Sequence, residues 1–140
     1  MRKILIIPAR IQSERLPEKP LRLIKDKPMI KWTFDAGIKS SADKVQVATD
    51  SVKISKLFNS KDIVMTSTDH NSGTDRVYEA VAKLNLNDND VVINLQGDEP
   101  FIDPDDLNNL FDIFSKKNVS MATLYSCLLY TSDAADESVR

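Results

Sequence analysis

The sequence predicts an α/β fold, a parallel sheet covered by helices on both faces. Two observations carry this. Short apolar runs alternate with stretches of helical periodicity, with mostly short connections between them. Several of those runs are also unbroken rather than alternating, which is how strands buried on both faces read.

Residues 3–8, rich in isoleucine, form the first buried strand. Residues 9–21 lack periodicity and contain Pro17 and Pro20, so they read as a long ordered loop. Pro28 suits a first helical turn, and Met29, Ile30, Phe34 and Ile38 recur as on one helix face. Residues 45–49 are a second strand. Asp50 or Ser51 can cap a short helix whose apolar side is Ile54, Leu57 and Phe58. Residues 63–65 are a third strand, and 74–86 fit a helix with Val77, Val81 and Leu84 inward. Residues 87–90 are a turn by composition, and 91–95 the fourth strand. Asp103 caps a helix opened by Pro104, with Leu107, Leu110, Phe111 and Phe114 on its core face. Residues 119–124 are a fifth strand. No internal repeat or low-complexity stretch interrupts the pattern.

Composition narrows the function. The 140 residues suit one domain, and 41% hydrophobic with 29% charged residues is a globular balance. Against 21 acidic residues stand 19 basic ones, a net charge of −2, which argues against a generally basic nucleic-acid binder but not against a local basic patch. No apolar run approaches the roughly 20 residues of a membrane span, and the opening run is too short for a signal peptide. One cysteine makes no internal disulfide, and one histidine builds no multi-histidine metal site. The cytoplasm is the expected compartment, with neither membrane insertion nor nucleic acid as a partner.

In such sheets ligands bind beyond the carboxyl ends of the strands, so the chemistry is sought in residues 9–21, 67–75 and 96–103. The first loop carries Arg10, Ser13, Arg15 and Lys19. Its cations repel unless an anion such as a triphosphate, or the neighbouring Glu14 and Glu18, neutralises them. Neither the P-loop nor the dinucleotide glycine fingerprint is present. The second loop, Ser67 to Arg76, sets small hydroxyl residues and Gly73 before a helix. Free backbone N–H groups there suit a ligand, while Ser72 with Asp75 equally suits a capping box. A lone loop histidine such as His70 is more often a hydrogen-bonding residue than a catalyst. The third loop ends a buried strand with Asp98 and Glu99. Such a carboxylate pair suits Mg²⁺ bridged to phosphates, and Gly97-Asp98 also suits a plain turn. Physical chemistry alone reaches a phosphate-handling α/β enzyme.

As an ordered set, these strings resemble the sugar-acid cytidylyltransferases, above all the 3-deoxy-manno-octulosonate (KDO) cytidylyltransferase or CMP-KDO synthetase family. The match runs through Ile7-Pro8-Ala9-Arg10, Ser13, Arg15-Leu16-Pro17 and Lys19-Pro20-Leu21. It continues through Lys27-Pro28-Met29-Ile30, Ala48-Thr49-Asp50, Asp69-His70 and Ser72-Gly73-Thr74, to Gln96-Gly97-Asp98-Glu99-Pro100 and Met121-Ala122-Thr123-Leu124. Glu18 departs from the pattern, which usually has glycine there. The acid beside Lys19 is expected to weaken phosphate affinity slightly.

The resemblance implies the N-terminal part of a Rossmann-like three-layer nucleotidyltransferase sheet, mostly parallel. It implies transfer of CMP from CTP to KDO, giving CMP-KDO and pyrophosphate for lipopolysaccharide assembly, with Mg²⁺ as cofactor and a homodimer as the complete protein. Arg10, Lys19 and Asp98 carry over as catalytic residues, the first two on the triphosphate and Asp98 on the metal. Ala9, Ser13 and Arg15 carry over as substrate contacts, and Ser72, Gly73, Thr74 and Gln96 as contacts to the cytidine. The alternatives are a cytidylyltransferase for another acidic sugar, such as an amino-KDO, and a non-catalytic nucleotide-binding fragment. Residues 1–126 are expected to be the nucleotide-binding part of a longer domain whose sugar pocket and second metal ligand lie elsewhere. Residues 127–137 read as a translated sequencing-library adapter, so 127–140 are expected to be a non-native tail.

Overall fold

A computed structural model describes residues 2–11, 18–70 and 72–116, with the short segments Cys127–Leu128 and Ser138–Val139. The predicted fifth strand at 119–124 lies outside the described residues, as does most of the expected tail.

Strand β1 (Lys3–Ala9) runs through the middle of a four-stranded sheet of order β5-β4-β1-β6. Its neighbours are β4 (Lys44–Thr49) and β6 (Val91–Asn94), and β5 (Ile63–Met65) lies outside β4. All pairings in this sheet are parallel, with Leu5 opposite both Val45 and Ile93. The unbroken apolar run of β1 has a direct cause. Leu5, Ile7 and Ala9 face a core shared with helices α1 (Met29–Lys39), α2 (Val52–Ser55) and α4 (Pro104–Lys116). Ile4 and Ile6 face the opposite core, shared with α3 (Gly73–Lys83). A strand between two helical layers has no solvent side. Each fully buried isoleucine contributes about 1.5–3 kcal/mol of apolar transfer.

The helix faces agree with the sequence in outline and differ in detail. Along α1, Ile30, Thr33, Phe34 and Gly37 are buried, while Met29 is half-buried and Ile38 is 56% exposed. Gly37 takes the inward place that the spacing assigns to Ile38. A Cβ there would lie 2.6 Å from Leu5 Cδ2 and force the buried Leu5 side chain to shift, so glycine lets the last turn approach the sheet without disturbing it. Helix α2 stops at Ser55, and Leu57 and Phe58 reach the core from beyond it, Phe58 against Phe34 with ring centres 4.9 Å apart. Ser51, not Asp50, caps α2, its Oγ accepting from the Ile54 N–H at 3.2 Å. Helix α3 ends before 86 because Asn85 turns left-handed at φ 53°. At the start of α4, Asp103 Oδ1 accepts from the Asp105 N–H at 2.9 Å, as its position predicts.

The sequence reading leaves unassigned a small hairpin, β2 (Leu23–Ile24) with β3 (Lys27–Pro28). Its turn residues Lys25 and Asp26 both have positive φ, 50° and 66°, as a type I′ turn requires. Neither residue is glycine, which is why the turn does not announce itself. The segments Cys127–Leu128 (β7) and Ser138–Val139 (β8) pair antiparallel. Among the described residues no helix is long and apolar enough to cross a membrane.

The chain reaches β4 on one side of β1 and β6 on the other. That reversal of strand order opens a crevice beyond the carboxyl ends of the strands, where a doubly wound sheet binds its ligand.

Candidate active site

The third predicted loop is fixed from behind. After β6 the Leu95 N–H donates to Ile6 O at 2.9 Å, which extends the ladder by one bond. The Glu99 N–H then closes a turn onto Gln96 O at 3.2 Å. The buried Thr33 hydroxyl donates to Gly97 O at 2.9 Å, tying the turn to α1. Held in this way, the turn presents Asp98 to solvent.

Asp98 Oδ2 lies 3.0 Å from Lys19 Nζ, although 79 positions separate the two residues in sequence. Lys19 opens the 3₁₀ turn Lys19–Leu21, and Glu18 before it is left-handed at φ 57°. The Glu18 N–H donates to Ile11 O at 2.9 Å, closing the base of the first loop. Its carboxylate pairs with Lys53 at 3.0 Å, so the acid expected to oppose phosphate at Lys19 is directed to another cation.

Two adjoining cavities lie at the ends of β1, β5 and β6. The smaller, of about 170 Å³, is lined by Pro8, Ala9, Arg10, Gly73, Arg76 and Gln96, with His70 and Ser72. The larger, of about 300 Å³, is bordered by Arg10, Ile11, Asp50, Ser51, Thr68, His70 and Arg76. At the start of α3, Ser72 Oγ accepts from the Asp75 N–H at 3.2 Å, so the capping role is real. Gly73 eases the close approach, since a Cβ there would make tight contacts of 3.3 Å with both Gln96 Nε2 and Pro8 Cγ. Capping and cavity lining therefore coexist at this helix end, as the sequence left open.

Behind the cavities a polar network holds the second loop. Glu79 Oε1 accepts from the Ser67 N–H at 2.9 Å and meets His70 Nε2 at 2.6 Å, while Lys83 Nζ lies 2.9 Å from Oε2. The Ser67 N–H, then His70 and Lys83, hold the Glu79 carboxyl down to about 2 from its ordinary 4.5. His70 is thus a hydrogen-bonding residue that also lines both cavities. Arg76 is buried, with Nη1 donating to Thr66 Oγ1 and Ser67 O and Nη2 at 3.6 Å from Asp50 Oδ2.

Of the residues singled out by sequence, Ala9, Arg10, Ser72, Gly73 and Gln96 meet at the smaller cavity. Lys19 and Asp98 meet each other. Thr74 sits exposed on the first turn of α3 and lines neither cavity, and Ser13 and Arg15 lie outside the described residues. Sequence reasoning missed Arg76, Thr33 and Glu79. Arg76 left a signal, because it sits beside Val77 on the stripe that continues to the buried Ala80. A charge at a core position of a helix is costly unless it is used.

Comparison with known proteins gives the family and the fold. Residues 4–134 match the family model described as cytidylyltransferase. The 3-deoxy-manno-octulosonate cytidylyltransferase of Haemophilus influenzae is 46% identical over 121 residues, 85% of this chain and 48% of that protein. The 8-amino-3,8-dideoxy-manno-octulosonate cytidylyltransferase of Shewanella frigidimarina is 45% identical over 130 residues, 89% of this chain and 53% of its own length. A solved CMP:2-keto-3-deoxy-manno-octonic acid synthetase complexed with CTP superposes with a TM-score of 0.76 at 37% identity, covering 83% of this chain and 48% of that one. The chain therefore spans about half the length of the relatives it matches.

Proposed function

Because this chain belongs to the cytidylyltransferase family, we propose that it supplies the nucleotide and pyrophosphate side of a KDO cytidylyltransferase. The reaction transfers CMP from CTP to KDO. The anomeric hydroxyl of the sugar attacks the α-phosphorus and loses its proton, the bond to the bridging β-phosphate oxygen breaks, and pyrophosphate leaves. The carrying observation is the meeting of Lys19 with Asp98 at 3.0 Å, beside a strand-end crevice that Ser72, Gly73 and Gln96 line.

The cytidine occupies that crevice. Arg10 borders both cavities and, among the described residues, has no ion-pair partner, so its charge is available to the triphosphate. Lys19 approaches the outer phosphates and stabilises the charge that builds on pyrophosphate as it departs. Ser13, Arg15 and Thr74 are proposed as further substrate contacts. The donor set for Mg²⁺ is a single half-exposed carboxylate, Asp98. Among the described residues no three His, Cys, Asp or Glu side chains gather. Asp98 would hold Mg²⁺ as its carboxylate ligand, which fits an ion that needs only one or two carboxylates from the protein. When bound there, the ion supplies charge neutralisation to the phosphates. CMP-KDO made in this way serves lipopolysaccharide assembly in the cytoplasm, and the protein at the length of its relatives is a homodimer.

A second reading has its own observation. The Shewanella relative, named for the 8-amino sugar, matches almost as closely as the Haemophilus one, so the amino-KDO is the alternative acceptor. The test has two arms. Calorimetric titration of the 140-residue chain with CTP and Mg²⁺ is expected to show binding, and its absence overturns the nucleotide assignment. A protein carrying these residues at the relatives' length is expected to release pyrophosphate from CTP with KDO. Release only with the 8-amino sugar moves the assignment to the second reading, and release with neither overturns both.

A further inference from the structure

We infer that Arg76 reads the nucleobase, its guanidinium donating to the acceptor edge that cytosine presents at O2 and N3. The inference rests on the cytidine-nucleotide reading above. It starts from an imbalance in hydrogen bonding. The Arg76 side chain is 4% exposed and borders both cavities. A guanidinium has five N–H donors. Nη1 is committed to Thr66 Oγ1 and Ser67 O. Nη2 stands 3.6 Å from Asp50 Oδ2, beyond a hydrogen bond. Among the described residues, neither Nη2 nor Nε has an acceptor within hydrogen-bond reach. Buried donors are normally satisfied, and leaving them bare is costly. The cavities are where the missing acceptors belong.

Charge decides which acceptors these are. Asp50 borders the larger cavity beside Arg76, so a phosphate there would face a carboxylate. Arg10 is exposed and carries no such acidic partner among the described residues, which makes it the better phosphate contact. Arg76 therefore suits a neutral acceptor pair, and the smaller cavity it shares with Gly73 and Gln96 is the one assigned to the cytidine. Cytosine offers a carbonyl at O2 and a lone pair at N3, matching a planar donor fork. Uracil carries N–H at position 3, and two donors face to face are repelled. Arg76 thereby rejects the wrong base as well as favouring the right one.

The experiment titrates the 140-residue chain with the Mg²⁺ complexes of CTP, UTP and 3-deaza-CTP, in which ring N3 is replaced by C–H. The intact chain is expected to bind CTP at least about tenfold more tightly than either analogue, the effect of one hydrogen bond to a charged donor. In Arg76→Lys that preference should collapse towards unity. Thr66→Val keeps the arginine but removes a hydroxyl that aims it, and should lower the preference even where Arg76→Lys does not fold. Equal affinity of the intact chain for CTP and 3-deaza-CTP overturns the role of Arg76 and leaves the nucleotide reading standing. A full preference retained by a folded Arg76→Lys, or by Thr66→Val where the lysine variant does not fold, overturns it too. No binding of CTP at all overturns both.

Discussion

At the Lys19–Asp98 end of the crevice the paired side chains are 40% and 49% exposed, while at the other end Arg76 is 4% exposed. Lys19 and Asp98 sit on separate loops and meet only through their side chains. Arg76, Glu79 and His70 lie on or beside α3: Glu79 accepts from the Ser67 N–H and meets His70, and Arg76 donates to Ser67 O. An exposed ion pair contributes about 0–1 kcal/mol and exchanges partners readily. The buried Arg76 is held to one geometry, because each partner it lost would leave a bare polar group. On the proposed reaction, the exposed end is suited to a group that must be released, pyrophosphate. The buried end is suited to a group that must be recognised.

The largest expected effect is at the exposed end. In a protein of the relatives' length, Asp98→Asn should cut turnover by roughly two orders of magnitude, since a bound metal ion contributes several kcal/mol of charge stabilisation. The melting temperature should stay nearly unchanged, because the lost pair is exposed. Turnover near that of the parent at limiting Mg²⁺ would remove Asp98 from the site and break the contrast.

Lys19→Ala comes next. It should weaken CTP by about 1.5–3 kcal/mol, the contribution of a hydrogen bond to a charged group, and CMP by much less. The comparison is made by calorimetry with both nucleotides. Equal losses would place Lys19 on the α-phosphate or the nucleoside instead of the outer phosphates.

What was legible in the sequence follows the same division. The strands announced themselves because a sheet between two helical layers needs uninterrupted apolar residues, as in Ile4 to Ile7. The loop residues Arg10, Lys19 and Asp98 could be singled out as candidates because charge gathered at predicted strand ends, and Gln96 through the family resemblance. The pairing of Lys19 with Asp98 could not, since it depends on the path of two loops. Thr33 was invisible for another reason. A buried threonine on an apolar helix face looks like core, and only the fold shows that Gly97 O lies above it. Ile38 misled because the helical period alone does not say that Gly37 will be the residue pressed against Leu5.

Acid tests the rigidity of the second loop beside Arg76. The Glu79 carboxyl is held at about 2 against an ordinary 4.5, chiefly by the Ser67 N–H, and Asp90 is held at about 2 against 3.8, chiefly by the Asn87 N–H. A carboxyl with a depressed folded value takes up its proton more readily in the unfolded chain. Its contribution is therefore complete above about pH 4.5 for Glu79 and is lost as the pH falls towards 2. Glu79→Gln should make stability fall less steeply over that window and leave the Asp90 share intact. Denaturant melts at several acidic pH values give the slope. An unchanged slope would mean that Glu79 does not hold the second loop, and that this loop is no more fixed than the exposed end.

The smallest effect concerns Glu18, where the strain lies in the backbone. Its φ of 57° and ψ of 30° are left-handed, a conformation that costs a residue with a Cβ roughly 1–2 kcal/mol and glycine almost nothing. Glycine loses more chain entropy on folding, and the variant also loses the exposed Lys53 pair, worth about 0.2–1 kcal/mol. The net gain for Glu18→Gly should therefore be small, on the order of 0.5 kcal/mol, and a melting curve should move up by a few degrees at most. The backbone bond from Glu18 N–H to Ile11 O does not depend on the side chain and should persist. CTP affinity is the sharper readout. Glu18 is paired with Lys53, and Lys19 with Asp98, so removing the acid should leave CTP binding within about twofold. A clear gain in CTP affinity would mean that the Glu18 carboxylate does act on the phosphates. It would then be the sequence expectation, and not the observed pairing, that describes the exposed end with nucleotide bound.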